Sequence, residues 1–358
     1  MLQFIIKRIL YGFLVLMGVV TVVFLLFNVL PGDPARMLMG QRADEESLKV
    51  IQKDLGLDQP LSTQFVMYIN DLSPISVHDR DEEHYLFLDS TKYDYSEIMS
   101  YGESSVLVFK SPYLRRSYQT KRKVSEILAD YLLETAVLAL AAIILASFLG
   151  ILFGIIAALN KDTWMDKSLL FTSILGMSIP SFYSAIIISF VFGYVLSEYT
   201  GLDMVGSLFE YDDLGNGEIL RLDHLILPAI TLGLRPVSAI MQLTRSSMLD
   251  VMSQDYIRTA SAKGLKFWKV VVKHALKNAL NPVVTAVSGM FASLLAGALF
   301  VESIFAWKGI GWVLYDALTK FDLPIIMGGV LVTATIFVVV NILVDILYGI
   351  LDPRVRIK

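Results

Sequence analysis

The sequence predicts an all-α polytopic membrane protein of six transmembrane helices. Both termini are expected in the cytoplasm, with a large external loop between helices one and two. Three observations predict it. The 358 residues are 55% hydrophobic and 18% charged, with a mean hydropathy of +0.61, whereas a soluble domain is about 45–50% apolar and about 25% charged. The excess is blocky, in windows of more than about 18 apolar residues with few or no charges. The basic residues are shared unevenly among the connections, which orients the chain.

Residues 1–30 hold the N-terminus and the first span. Ile9 to Leu30 carries no charge and follows Lys7 and Arg8. The apolar core of a signal peptide is about 7–15 residues and ends at a small-residue cleavage site. This run is longer and lacks an Ala-x-Ala ending, so it reads as an uncleaved span.

Residues 31–130 form the external segment. Residues 33–65 are polar and read as partly helical in DEESLKVIQKDLGL. Residues 78–103, HDRDEEHYLFLDSTKYDYSEIMSYGE, are acidic and tyrosine-rich, and VLVF at 106–109 suits a short strand. The segment is either a small external subdomain or a loop insertion of no specific role.

Residues 131–358 hold the other five spans. They are Thr135 to Leu159; Leu169 to Leu196, interrupted at Ile179-Pro180; Leu225 to Leu243, containing Pro228, Arg235 and Pro236; Pro282 to Ile304; and Leu323 to Leu347. Each can cross about 30 Å at about 1.5 Å per residue, and each must be a helix because lipid offers no partner to the backbone. After span five, FAWKGIGWVLYDALTKFD is too polar to cross and reads as a short external gate helix.

The connection 245–281 carries Arg245, Arg258, Lys263, Lys266, Lys269, Lys273 and Lys277 against Asp250 and Asp255. The connection 198–224 carries seven acids against Arg221 alone. The positive-inside rule puts 245–281 in the cytoplasm.

Several classes are excluded. There is no cysteine, so no disulfide or thiolate site. The four histidines have no His-x-x-x-His spacing, so no metal site is expected. No GxxxxGK[ST] phosphate cradle occurs, no HExxH, and no Ser/His or paired-Asp site lies in the spans. The chain is not read as an enzyme, and nothing in it calls for nucleic acid.

DYIRTASAKGLKFWKVVVKHALKNALNP, residues 255–282, is the most informative stretch. At about 100° per residue, Lys266, Lys269, Lys273 and Lys277 share one helix face, opposite Phe267, Trp268, Val271, Val272, Ala275 and Ala279. Lys266 to Asn281 therefore reads as a basic amphipathic helix. Gly264 breaks it from a shorter helix, 255–263, with an apolar face of Tyr256, Ile257 and Ala260. A surface helix among anionic headgroups accounts for the later part. A helix–glycine–helix element docking in a partner's groove accounts for both.

Aligned on Gly264, this stretch resembles the cytoplasmic coupling loop of ATP-binding-cassette importer permeases, although the usual glutamate and proline are absent. FNVLPGDPA, LGLDQPLSTQF at 55–65, SIPSF at 178–182, LPAITLGL at 227–234, TRSSMLDV at 244–251, GALFVESIF and WKGIGWVL over 297–314, and NILVDILYGILDPRVR at 341–356 resemble the dipeptide, oligopeptide and nickel branch. Residues 75–111 look like an insertion, and Lys308 stands where the family commonly has proline.

The resemblance implies a type I ABC importer permease in the bacterial inner membrane, forming half of a translocation pathway for peptides or similar small solutes. It implies a second permease subunit, two ATPase subunits that hold ATP and Mg, an external solute-binding protein and surrounding lipid; no cofactor belongs to this chain. Asp255, Tyr256, Arg258, Ala260, Lys263 and Gly264 would meet the ATPase. The rival is an ion-coupled secondary transporter working without ATPases, for which the well-placed acids would be Glu302 and Asp345. Arg235, costly in mid-span by about 2.5–3.5 kcal/mol on insertion scales, either lines the pathway or pairs with Glu302. Ser178 and Pro180 mark a break at which hydroxyls line a pore or satisfy freed carbonyls. Asn341 and Asp345 are read as capping and pairing locally.

Overall fold

A computed structural model describes residues 2–28, 58–82, 84–102, 104–211, 217–295 and 298–351. The expected helix within 33–57 and the basic DPRVRIK end fall outside these residues. The chain divides into two units. One comprises residues 1–9, 131–315 and 336–358, and the other residues 10–130 and 316–335.

The helices are α1 (Leu2–Asn28), α2 (Leu61–Leu72), α3 (Val124–Leu159), α4 (Trp164–Ser178), α5 (Ser181–Phe190), α6 (Ile226–Met252), α7 (Asp255–Ala262), α8 (Phe267–Leu295), α9 (Leu299–Ile304), α10 (Ile310–Thr319) and α11 (Leu323–Leu351). Among the described residues, five helices are long and apolar enough to cross a membrane. A sixth crossing exists if α4 and the helical stretch Ser181–Val195, bent by 106° at the break, count as one span. Helix α3 has 36 residues, about 54 Å at 1.5 Å per residue, so it overshoots a bilayer core of about 30 Å.

Two boundaries differ from expectation. The lysine-faced segment is not a separate helix: α8 runs through a wide π turn, Val271–Leu276, and through Pro282 into span five. No breaker follows Gly264, and a single proline removes one hydrogen bond, which transmembrane helices tolerate. Span five then ends at Leu295, and α9 is a separate helix. The apolar face also splits. Val271, Ala275 and Ala279 are buried, whereas Phe267, Trp268 and Val272 are exposed.

In the second unit, the suspected insertion is a small antiparallel sheet of order β1-β3-β2, with β1 Ile75–Asp79, β2 Tyr95–Tyr101 and β3 Ser105–Lys110. VLVF is the heart of β3. Leu88, Val106 and Val108 form its core. Lys110 is buried, donates its ammonium to the Asp71 carbonyl at 2.6 Å, and lies over the Tyr93 ring at 4.9 Å. His78, 1% exposed, holds the Leu86 carbonyl through Nδ1 at 3.2 Å. Burial, then the nearby Lys110, lowers the His78 pKa to about 4.

In the first unit, Arg8 pairs with Asp345 at 3.1 Å, and Asn341 donates to the Phe337 carbonyl at 2.8 Å. Asn341 thus bonds within its own helix, as expected, whereas Asp345 pairs across to α1 rather than locally.

Candidate functional site

Four features of the first unit make up the site. The first is the α7 element. Ile257 and Ala260, buried, join Ala158, Met248, Val270, Val271, Ala275 and Ala279 in one cluster, so α7 is seated on the ends of α3, α6 and α8. Its other face carries Asp255, Arg258 and Lys263, all exposed. The Asp255–Arg258 pair, at 3.4 Å with side chains 94% and 76% exposed, is of the surface kind that contributes little, and both ions are open to other partners. Gly264 ends the element at φ +75°, the left-handed geometry of a helix C′ position, which glycine adopts without steric cost. A Cβ there would meet nothing, so its surroundings are open. Tyr256, exposed, accepts from Asn278 Nδ2 at 3.0 Å, tying α7 to α8.

Ala260 is a correction. It was expected on the docking face, but it is 6% exposed and turned into the bundle, because it lies on the same stripe as Ile257. It helps to hold α7 in place, whereas Tyr256 remains exposed.

The second feature bolts α4 to α6. The Arg245 guanidinium grips Asp166 in a fork, Nε to Oδ1 at 2.6 Å and Nη2 to Oδ2 at 2.7 Å; the carboxylate is 2% exposed. A turn further along, Gln242 donates to Ser173 Oγ at 2.7 Å, and Ser173 donates to the Ser238 carbonyl at 3.2 Å. Helix α3 packs close by on the other side. A Cβ on Gly150 would lie 2.8 Å from Ile240 Cβ, and one on Gly154 2.5 Å from Thr244 Cβ. Gly150-x-x-x-Gly154 is the small-residue spacing that lets membrane helices approach; that spacing, and the lone acid in WMDKSLL, were the available sequence signals for this joint.

The third feature is a cavity of about 530 Å³ at the α4–α5 break, lined by Gly176, Ile179, Ser181, Ser184, Thr231, Arg235, Ser293 and Phe300 among others. Arg235 is exposed to it, with Nη2 3.5 Å from the Ile179 carbonyl. Ser178 donates back to the Ile174 carbonyl of its own helix, and Pro180 precedes α5 as its N-cap residue.

The fourth feature is a buried hub. Glu302, 0% exposed, accepts from Gly311 N at 2.7 Å, Trp312 N at 3.2 Å and Thr135 Oγ1 at 3.0 Å. Thr135 Oγ1 in turn accepts from Ile310 N at 2.8 Å. One carboxylate and one hydroxyl thus take the N-terminal donors of α10, where negative charge is favoured. The neighbouring Glu134 accepts from Ser207 Oγ, and its carbonyl accepts from Trp307 Nε1 at 3.0 Å. Of the two alternatives for Arg235, the pair with Glu302 is not made: Glu302 has a full set of partners elsewhere and does not line the cavity. Glu134 was not anticipated, because one carboxylate at the head of an apolar run gives no sign of what it meets.

Asp203, Asp223 and His224 place three ligand atoms within 4.8 Å of one another. Arg221 already occupies that group, pairing with Asp223 at 2.7 Å and Asp203 at 3.3 Å. The cation there is the chain's own, and it neutralises acids of the 198–224 connection.

Comparison with known proteins gives a consistent result. The family model described as binding-protein-dependent transport system inner membrane component matches residues 150–357, and its N-terminal companion matches residues 1–85. A dipeptide transport system permease protein of Alkalihalophilus pseudofirmus is 33% identical, covering 99% of this chain and 100% of its own. A di/tripeptide transport system permease protein of Pseudomonas aeruginosa is 34% identical over 99% of each. A glutathione transport system permease protein of Salmonella paratyphi A is 35% identical over 100% of each. Among solved structures, a chain from inward-facing MetNI methionine ABC transporter aligns with 64% of this chain and 97% of its own, at 16% identity and a TM-score of 0.48.

Proposed function

This chain belongs to the binding-protein-dependent transport system inner membrane component family, and from that premise we propose that it is the membrane-spanning half-pathway of an ATP-driven peptide importer. The observation that carries the reading is likeness over the full chain to permeases of dipeptide, di/tripeptide and glutathione transport systems. The partners on this reading are a second permease subunit, two ATPase subunits and an external solute-binding protein. The chain lies in the bacterial inner membrane, termini inward.

Coupling falls to α7. Asp255, Arg258, Lys263 and Gly264 stand on its exposed side and are proposed to enter a cleft of an ATPase. Force applied there passes into the ends of α3, α6 and α8 through the Ile257–Ala260 cluster. The Arg245–Asp166 fork hands it to α4, which leads to the break. Packed elements with few voids transmit displacement rather than absorb it. Glu302 acts at the outer end by holding α10.

The test is reconstitution of this chain in lipid with and without its neighbouring permease and ATPase subunits. Peptide accumulation is expected with the complete set and ATP. Uptake by this chain alone, driven by an ion gradient, would overturn the reading in favour of a secondary transporter.

A further inference from the structure

We propose that the cavity at the Ile179–Pro180 break is a waypoint for solutes bearing a carboxylate, received there by the Arg235 guanidinium. This deepens the importer reading and rests on it.

The argument begins with cost. Arg235 sits near the middle of the apolar stretch Asp223–Met252, where a cation is expensive to place. The other described arginines of the same unit each have a carboxylate: Arg245 has Asp166 at 2.6 Å, Arg221 has Asp223 at 2.7 Å, Arg8 has Asp345 at 3.1 Å and Arg258 has Asp255 at 3.4 Å. Arg235 has none among the described residues. Its one hydrogen bond among the described residues is to a carbonyl at 3.5 Å, the outer limit of such a bond. The fold satisfies the arginine at the end of α6 and leaves the one at its middle facing an open space.

That space is suited to an organic anion. Its volume, about 530 Å³, falls within the range of small-molecule sites, about 300–1,000 Å³. Ser181, Ser184, Thr231, Ser293 and Phe300 line the same space. A guanidinium offers a planar fork that matches a carboxylate's two oxygens. Hydroxyls that already donate to backbone, as Thr231 does to Leu227 at 2.8 Å, keep lone pairs for an incoming N–H. The aromatic ring supplies apolar area without demanding a particular side chain. The design favours the group common to all peptides, the terminal carboxylate, over any one sequence.

The chain has no cysteine, so Ser293→Cys places a single reporter on it within the complete reconstituted transporter. Labelling rates are measured with an anionic and a cationic methanethiosulfonate, each relative to a free thiol. The anionic reagent is expected to be favoured at least about tenfold, as charged clefts raise local counter-ion concentration, and the preference is expected to vanish in Arg235→Gln. Millimolar dialanine should slow labelling, and dialanine amide should not. Equal rates for the two reagents, protection by the amide as well, or a cysteine that never reacts there or at Ser181→Cys would overturn the proposal. If Arg235→Gln fails to assemble, the dialanine and amide comparison in the parent decides. ATP-driven dialanine uptake is followed in the same vesicles. Uptake without anion preference sinks only this inference; anion preference without uptake sinks the importer reading instead.

Discussion

The Glu302 carboxylate accepts the backbone N–H of Gly311 at 2.7 Å, and through it a fully buried acid becomes the cap of a helix nine residues ahead. Glu302→Ala leaves the Gly311, Trp312 and Thr135 donors without their acceptor. Each buried donor so stranded costs about 1–3 kcal/mol. A lowered melting temperature in detergent and reduced accumulation are expected, with Glu302→Gln intermediate because its amide oxygen keeps one acceptor.

Two glycines make that approach feasible. A Cβ on Gly309 would run into the Glu302 carboxylate and the Thr135 hydroxyl, and one on Gly311 would lie 2.7 Å from Leu299 Cα. Side-chain ends shift more easily than backbone, so Gly311→Ala is expected to be the more damaging of the two. Thermal denaturation of the purified variants ranks them.

The buried Asp166 carboxylate and the partly exposed Arg245 guanidinium form a bidentate pair. Removing one partner strands a charge, typically at about 3–5 kcal/mol, whereas an apolar replacement of both is often tolerated. Asp166→Ala and Arg245→Ala should each lower stability sharply, and Asp166→Leu with Arg245→Met should recover much of it. On the coupling reading, the recovered double variant still transports less than the parent, because α4 no longer follows α6 through a directional contact. Full uptake by that variant would remove the fork from the transmission path.

Gly264 stands at φ +75° with open space around it. Alanine there pays the left-handed penalty, about 1–2 kcal/mol, without a clash, so Gly264→Ala should insert and transport. Gly264→Glu should insert equally well, yet abolish ATP-driven uptake by blocking the proposed docking face. Uptake normalised to chain in the membrane distinguishes the two.

His78 gives the sheet a pH dependence. Its folded pKa, about 4, lies below the unfolded value of about 6.5. Its contribution is therefore complete above about pH 6.5 and is lost as pH falls through about 4. Burial raises the Asp71 pKa, which acts in the opposite sense, so the His78 part is read by difference. Hydrogen-exchange protection across the sheet in the full chain, taken relative to the intrinsic exchange rate at each pH, should fall from pH 7 to pH 5 more in the parent than in His78→Gln.

The spans were legible because lipid leaves the backbone one choice and the apolar runs are long. Gly264, the VLVF strand and the break at Ile179–Pro180 were legible because each rests on local chemistry. What was not legible is long-range pairing. Asp166 meets Arg245, and Glu302 meets Gly311 and Thr135, across separations that periodicity does not address. Ala260 was misplaced because a small residue on an amphipathic helix suits close approach from either side. Pro282 was misread as a helix start because one missing N–H looks the same in sequence whether it begins a helix or interrupts one.

The wide turn at Val271–Leu276 has a consequence for tolerance to length change. A π turn is an α-helix carrying one residue too many. Deleting a single residue there would let the ladder close into regular α geometry. Everything beyond Lys277 would keep its rotation toward its neighbours, so a one-residue gap at this place would be structurally silent for the rest of the span.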